Sequence, residues 1–186
     1  MGKLSVFQFT TLNGYFKGPD NSIDWHRHGD EEAEFAAKGA QSESILLFGR
    51  KTFEMMASYW PTPMAKQNAP AVADGMNKSK KIVFSQTLKH ATWNNTSIIR
   101  NNMIDEVQRL KNESDKPLTL LGSGSVLTQL ADAGLIDEFQ FMIDPVALGS
   151  GTPTFSGMNK MLDLTLTGSH VFKSGVVLLS YAPTKS

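Results

Sequence analysis

The chain contains no cysteine among its 186 residues. Disulfide bonds, thiolate zinc sites and cysteine nucleophiles are therefore all excluded. The same absence excludes a zinc-dependent nucleobase deaminase, because that class needs a Pro-Cys-x-x-Cys segment to hold its metal. Three kinds of redox, metal or nucleophilic site are thus removed before any motif is considered.

The chain also lacks a net charge and a long apolar run. Its 18 basic and 18 acidic residues cancel, so no overall field favours nucleic acid or an anionic membrane, and any anion site must be local. No apolar run approaches the roughly 18 residues of a membrane span. The start, MGKLSV, predicts a strand without a signal-peptide core, and Val6 breaks the myristoylation pattern. We expect a cytoplasmic protein with a small-molecule partner and no nucleic acid or membrane partner.

Two segments of the chain share one pattern. Each is a short apolar run, at residues 45–48 and 118–121, followed by glycine and small polar residues and then by helical spacing. We call residues 49–52 the first glycine corner and residues 122–125 the second glycine corner. A helix N-terminus has unpaired N–H groups and partial positive charge, and glycine lets a phosphate approach the backbone closely. Two such corners fit the separate phosphates of one long ligand, whereas each alone is also explained by tight turning.

The remaining pattern predicts one domain, residues 1–186, with a mixed sheet and helices on its faces. A loop covers 17–30, and a polar connection containing proline covers 61–79. Strands are predicted at 4–11, 45–48, 81–85, 97–100, 118–121, 139–143, 162–167 and 175–182. Helices are predicted at 31–42 with Asp30 as N-cap, at 51–59, around Ile104, Val107 and Leu110 after Asn101 or Asn102, and at 125–133.

Six segments in this order resemble the dihydrofolate-reductase-like fold, and more closely the family of the C-terminal reductase domain of bifunctional riboflavin-biosynthesis proteins. The resemblance covers nearly the whole chain. It implies an α/β fold with a mostly parallel central sheet, flanking helices and a strand-rich antiparallel C-terminal part. The segments are 5–14, 47–54 with Trp60, 81–88, 121–125, 134–138 and 145–155.

The resemblance further implies that the chain binds NADPH. Arg50 is expected near the 2′-phosphate, Thr52 on the pyrophosphate, and Ser85 beside the same 2′-phosphate. The second glycine corner is expected to offer backbone N–H groups to the pyrophosphate from the opposite side. A solvated surface charge is the alternative for Arg50. The expected cofactor-binding residues are Gly49, Arg50, Lys51, Thr52, Ser85, Gly122, Ser123, Gly124 and Ser125.

By the same resemblance, the loop after the first strand lies near the nicotinamide and acts as a partial lid. Asn13 stands where family members usually carry aspartate, and an amide hydrogen-bonds but cannot transfer a proton as a carboxyl group does. Folate reductases hold the pterin ring with a carboxylate on the first helix. Here the acidic residues of that region, Glu31, Glu32 and Glu34, are interpreted as a solvated first turn, which argues against a folate reductase.

The segment 24–30 (DWHRHGD) permits three interpretations. Asp24, His26, His28 and Asp30 alternate, so an extended segment would point all four the same way, as metal ligands are arranged. The family uses no metal, and we expect none. In the second interpretation Trp25 closes over a planar substrate, with His26 or His28 as proton donor or phosphate contact. The third is an exposed loop. The expected catalytic residues are Asn13, Trp25 and His26.

The sequence thus predicts an NADPH-dependent reductase. Its substrate is 5-amino-6-(5-phosphoribosylamino)uracil, as in riboflavin biosynthesis, or another heterocyclic or carbonyl small molecule. No basic group for the ribose 5-phosphate is identified. The alternative, favoured by Asn13, is a nucleotide-binding protein of the same fold without turnover. A homodimer is also expected, because two-fold dimers are the commonest oligomers and the strand-rich C-terminal part offers a pairing surface.

Overall fold

The computed structural model describes residues 2–184, which form ten strands and six helices. The strands are β1 (Leu4–Thr11), β2 (Tyr15–Lys17), β3 (Ile45–Gly49), β4 (Lys81–Phe84), β5 (Thr96–Ile99), β6 (Leu118–Leu121), β7 (Glu138–Asp144), β8 (Thr152–Pro153), β9 (Leu164–Val171) and β10 (Val177–Pro183). The helices are α1 (Asp30–Ala40), α2 (Arg50–Tyr59), α3 (Pro63–Asn68), α4 (Pro70–Lys78), α5 (Met103–Glu113) and α6 (Gly124–Asp132). In this range no helix is long and apolar enough to cross a membrane.

Eight of the strands form one sheet in the order β5-β4-β3-β6-β1-β7-β10-β9. The first six run parallel, whereas β10 pairs antiparallel with both β7 and β9. The expectation of an α/β fold with a mostly parallel sheet and an antiparallel C-terminal part is confirmed. Parallel strands place their carboxyl ends along one edge, which is where ligands bind in such sheets.

Apolar side chains cover both faces of the sheet. One face packs against α5 and α6 through residues such as Val107 and Leu127. The other face packs against α2 and α4 through Phe53 and Met76, and against α1 through Phe35. β3 is buried along its whole length, and β6 alternates between buried and partly buried residues inside the parallel sheet. These positions explain why residues 45–48 and 118–121 are nearly continuous apolar runs.

The prediction of a connection without helices at 61–79 is wrong. This stretch forms α3 and α4, and each helix begins at a proline, Pro63 and Pro70. Proline suits the first helical position, because the N–H it lacks would have no partner there. Thr62 also caps α3 by accepting a hydrogen bond from the N–H of Ala65 at 3.2 Å.

The start of α1 and the small sheet also differ from expectation. Gly29, rather than Asp30, occupies the N-cap position of α1. Strands β2 and β8 form a separate two-stranded sheet that was not predicted. They contain only three and two residues, too few for an alternating pattern to appear. This small sheet matters because it forms one wall of the site described next.

Candidate functional site

A cleft of about 570 Å³ opens at the carboxyl ends of β3, β4, β5 and β6. Both glycine corners reach it, and so do the small sheet and the N-terminus of α5. The cleft is lined by Phe16, Lys17, Asn21, Gly49, Arg50, Lys51, Thr52, Phe84, Ser85, Gln86, Ile99, Arg100, Asn101, Asn102, Met103, Ser123, Gly124, Ser125, Val126, Gln129 and Thr152. Eight of the nine residues predicted to bind the cofactor are therefore brought together, and the ninth, Gly122, lies just behind the wall.

The two glycine corners contact each other directly. The buried N–H of Gly49 donates to Ser123 Oγ at 2.7 Å, and a Cβ on Gly122 would lie 3.3 Å from Thr52 Cγ2. Ser123 adopts a φ of 67° in making this turn. The corners thus form one continuous wall, but the Gly49 N–H and the Ser123 hydroxyl are engaged with each other. The first residues of α2 and α6 line the cleft.

Phe16 closes the end of the cleft beside the second glycine corner. A Cβ built on Gly124 would lie 2.8 Å from Phe16 Cε1, which is closer than real side chains approach. Glycine at position 124 is therefore required for the aromatic ring of β2 to pack on the start of α6. This contact attaches the small sheet to the main sheet.

The cleft concentrates positive charge. Lys17, Arg50, Lys51 and Arg100 line it, and among the residues described no aspartate or glutamate does so. Burial lowers the pKa of Lys17, and the charge of Lys51 lowers it further. In a chain whose formal charges cancel, this local excess of positive charge is suited to an anion of several charges.

At the β3–β5 end of the cleft, Arg50 is oriented by its neighbours. Its Nε donates to Glu54 at 2.8 Å and its NH1 to Thr87 Oγ1 at 2.6 Å. Ser85 Oγ accepts hydrogen bonds from the backbone N–H groups of Thr87 and Leu88. Because those two bonds use only acceptor capacity, the hydroxyl proton of Ser85 remains available to a ligand.

A second cluster surrounds His26, on the α1 side of the sheet. Asp144 is fully buried at the end of β7, and its Oδ2 lies 2.8 Å from His26 Nδ1. The N–H of Arg27 donates to Asp144 Oδ1 at 2.7 Å. The imidazole stacks on Phe9 with ring centroids 3.6 Å apart. A carboxylate accepting from Nδ1–H fixes the tautomer, so that Nε2 is the nitrogen left for chemistry.

Trp25 and His28 flank this pair. The indole Nε1 of Trp25 is buried without a hydrogen-bond partner in the part of the chain that the structure describes. The exposed ring of His28 contacts His26 edge-on at 4.5 Å. Burial of part of the ring lowers the pKa of His28 and the charge of His26 lowers it too, against the opposing effects of Asp144 and Glu32. Of the two histidines proposed as donors, only His28 is freely accessible.

Asn13 is not among the residues that line the cleft, and its side chain is bonded mainly to the main chain. Its Nδ2 donates to the carbonyl of Leu148 at 2.7 Å, and its Oδ1 accepts from the Leu148 N–H at 3.1 Å and from Thr11 Oγ1 at 2.9 Å. The side chain thereby joins the loop after β1 to the loop after β7. Its catalytic role stays a prediction.

The acidic start of α1 is not simply solvated. Glu32 is buried and accepts a hydrogen bond from Ser174 Oγ, while Glu31 binds Lys173. Only Glu34, paired with Lys38 on the surface, fits the expectation. Helical spacing alone could not show this, because Ser174 lies 142 residues further along the chain.

Sequence reasoning missed several residues that line the cleft or contact His26. Lys17, Arg100 and Gln129 line the cleft, and Asp144 holds His26. Lys17 and Arg100 are isolated cations in loop-like sequence, so only their positions, at the end of β2 and directly after β5, could have indicated them. Among the residues that the structure describes, no group of three histidine, aspartate or glutamate side chains is arranged to hold a metal ion.

A comparison against protein families assigns the chain. The family described as RibD C-terminal domain matches residues 3–178. The chain belongs to this family. The family resemblance drawn from the six sequence segments is therefore confirmed, and the chain is a reductase-like domain of the RibD C-terminal kind.

The chain is also similar to individual proteins. YyaP from Bacillus subtilis is 32% identical over 171 residues, covering 92% of this chain and 89% of YyaP. A pyrimidine reductase-like protein from Corynebacterium diphtheriae is 14% identical, with a TM-score of 0.70, covering all of this chain and 93% of that one. Dihydrofolate reductase from Enterococcus faecalis, complexed with NADP(H), is 16% identical, with a TM-score of 0.66, covering 99% and 98%. The two structural matches confirm the dihydrofolate-reductase-like fold.

Proposed function

We propose that the protein is an NADPH-dependent reductase of a small heterocyclic or carbonyl compound. The observation that carries the proposal is the cleft lined by four cations and, within residues 2–184, by no carboxylate. The helices α2 and α6 also begin at this cleft. A dinucleotide with a pyrophosphate and a 2′-phosphate matches this charge and these two N-termini.

The residues present fit NADPH along the length of the cleft. Arg50 and the free hydroxyl proton of Ser85 would hold the 2′-phosphate at the β3–β5 end. Thr52, Ser125 and the N-terminal N–H groups of α2 and α6 would hold the pyrophosphate. When bound, NADPH supplies a hydride to an electrophilic carbon of the substrate.

On the α1 side, the second cluster would hold the substrate. Phe9 and Trp25 offer flat apolar surface, and the unpartnered indole N–H of Trp25 offers a donor for a substrate carbonyl. His26 would present Nε2 to the substrate, with Asp144 keeping the ring in one orientation. These groups suit a planar heterocycle with a polar edge. A ribosylaminouracil, as in riboflavin biosynthesis, is one member of that class.

Nucleotide titration tests the proposal. NADPH and NADH are added in parallel to the purified protein, and the quenching of tryptophan emission is recorded. We expect micromolar binding of NADPH that is at least tenfold tighter than that of NADH, since one charge-assisted phosphate contact is worth about that much. Absence of NADPH binding at millimolar concentration would refute the proposal.

The second candidate, nucleotide binding without turnover, rests on Asn13. Its amide donates and accepts only main-chain and Thr11 hydrogen bonds, so no acid is provided at this position. Oxidation of NADPH, followed at its absorbance maximum with phosphoribosyl-pyrimidines and pterins, separates the candidates. Tight binding with no oxidation by any compound would favour this second one.

A further inference from the structure

Gln8 is a buried amide with an unsatisfied acceptor. It lies on the central strand β1 and is only 3% exposed. Its Oε1 is buried and has no hydrogen-bond partner within residues 2–184. Burying an unpaired polar atom costs stability, so such an atom is explained by a ligand or a bound water that supplies the missing donor.

Gln8 lies one residue beyond the end of the β1–β6 pairing, beside the second glycine corner. The pairing of β1 with β6 ends at Phe7 and Leu121, and the Phe7 carbonyl accepts the N–H of Gly122 at 3.1 Å. Gln8 is the next residue, so it stands beside the point where β6 leaves the sheet for the second glycine corner. Side chains alternate along a strand, which places Gln8 on the face that carries Val6.

The small sheet closes this region from the other side. Thr10, two residues beyond Gln8 on the same face, bonds through Oγ1 to the Tyr15 carbonyl at 3.3 Å and to Thr154 Oγ1 at 3.0 Å. Phe16 follows Tyr15 and packs on Gly124. Gln8 is therefore enclosed between two elements that both line the cleft.

The charges of the cleft decide which end of a dinucleotide reaches Gln8. Arg50, Ser85 and Arg100 follow β3, β4 and β5, so the 2′-phosphate and its adenosine belong at that end. In the proposed complex this leaves the opposite end of the cleft, beside Phe16, for the nicotinamide. This ring is flat and apolar except for its carboxamide, whose N–H₂ group is a donor.

We propose that Gln8 Oε1 accepts a hydrogen bond from the nicotinamide carboxamide and so fixes which face of the ring is turned toward the substrate. This inference rests on the proposed function. Gln8 is then a cofactor-orienting residue, and its unsatisfied acceptor is satisfied only in the complex. If Gln8 has this role, the protein binds a nucleotide with the carboxamide more tightly than one whose ring substituent lacks the N–H₂ group.

The test uses NADPH and its reduced 3-acetylpyridine analogue, which keeps the carbonyl but replaces the amide nitrogen with a methyl group. Dissociation constants are measured by calorimetry for the wild type, Gln8→Met and Gln140→Met. Gln140 is a matched control, since it is a partly buried glutamine of the neighbouring strand β7 whose Nε2 donates to Glu138. We expect the wild type and Gln140→Met to prefer NADPH by roughly tenfold, and Gln8→Met to bind both equally weakly.

Thermal unfolding without ligand gives an independent measurement. Gln8→Met removes an unpaired buried amide at similar volume, so we expect an unfolding temperature equal to or above that of the wild type. A Gln8→Met variant that keeps the preference for NADPH overturns the inference, as does a loss of stability with unchanged preference, which would indicate a structural water. If the wild type binds neither nucleotide, the proposed function fails together with it.

Discussion

The guanidinium of Arg50 is held by the protein itself. Its bonds to Glu54 and Thr87 reduce the side-chain entropy that a bound phosphate would otherwise remove. We therefore predict that Arg50→Ala weakens NADPH binding by roughly ten- to hundredfold, the worth of a charge-assisted contact, and leaves NADH binding within about twofold. Fluorescence titration of both nucleotides measures the change.

Arg109→Ala is the matched control for Arg50→Ala. Arg109 is also exposed on a helix and paired with carboxylates, Glu106 and Glu113, but it lies on α5 outside the cleft lining. It should leave both affinities unchanged. Equal weakening of NADPH and NADH by Arg50→Ala would show that Arg50 does not contact the 2′-phosphate.

Asn13 joins two loops through one donor and one acceptor. Alanine removes all three of its hydrogen bonds, so we predict that Asn13→Ala lowers the free energy of unfolding by about 1–3 kcal/mol. Aspartate keeps the acceptor but loses the donor to the Leu148 carbonyl, so Asn13→Asp should fall between alanine and the wild type. Urea unfolding at neutral pH measures this order.

The exposed Asn94, whose side chain has no hydrogen bond to another described residue, is the control for the loop contacts, and Asn94→Ala should leave stability within about 0.5 kcal/mol of the wild type. For Asn13 itself, one result would indicate a catalytic role. If Asn13→Asp is as stable as the wild type and oxidises NADPH faster, position 13 acts on the substrate rather than on the main chain.

At the level of elements, the start of α6 depends on the absence of a side chain at Gly124. Alanine there would meet the Phe16 ring at 2.8 Å. We predict that Gly124→Ala destabilises the protein by about 1–3 kcal/mol through overpacking, despite the higher helix propensity of alanine. Phe16→Leu in the same chain should recover much of the loss. Thermal unfolding of the single and double variants measures this coupling.

Gly39 provides the comparison within another helix. A Cβ at Gly39 of α1 has no atom within 4 Å, so Gly39→Ala should stabilise the protein by about 0.5–1 kcal/mol. If Gly124→Ala stabilises by the same amount, the contact between β2 and α6 does not constrain position 124, and the small sheet is not held as described.

Features set by neighbouring residues were predicted well. Both glycine corners and the strands before them were found because an apolar run, a glycine and helical spacing follow one another in the chain. The two helices between residues 61 and 79 were missed because this polar stretch containing proline was interpreted as a connection, although proline favours the first helical turn. Proline interrupts a helix when it lies in the interior but favours a helix when it lies directly after the N-cap. Its position relative to the N-cap therefore determines whether it predicts a break or a start.

At the level of the whole molecule, the contacts that build the cluster around His26 could not be predicted. His26 meets Asp144 across 118 residues, and nothing in the segment 24–30 names that partner. The alternation of Asp24, His26, His28 and Asp30 permitted an arrangement in which all four point the same way, but His26 is buried against Phe9 whereas the neighbouring His28 is exposed. The orientation of each side chain in this segment is set by packing against strands that are distant in sequence.

One edge of the sheet remains open to association. β9 is the last strand, its sequence LTLTGSHV contains no lysine, arginine, aspartate, glutamate or proline, and several of its side chains are exposed, including Leu166 and Val171. Charged residues and proline are the usual protection of an exposed strand edge against pairing. We therefore propose a homodimer in which β9 pairs with the same strand of a second copy.

We predict a mass of twice 20.4 kDa in sedimentation equilibrium at micromolar concentration. Because two-fold pairing would place Leu166 close to the second copy, a lysine there would bring two like charges into an apolar contact, and Leu166→Lys should yield the single-chain mass. Leu12→Lys is the control, since Leu12 is also an exposed leucine but lies in the loop after β1. A wild-type mass of one chain, or a Leu166→Lys variant that remains double, would exclude β9 as the dimer interface.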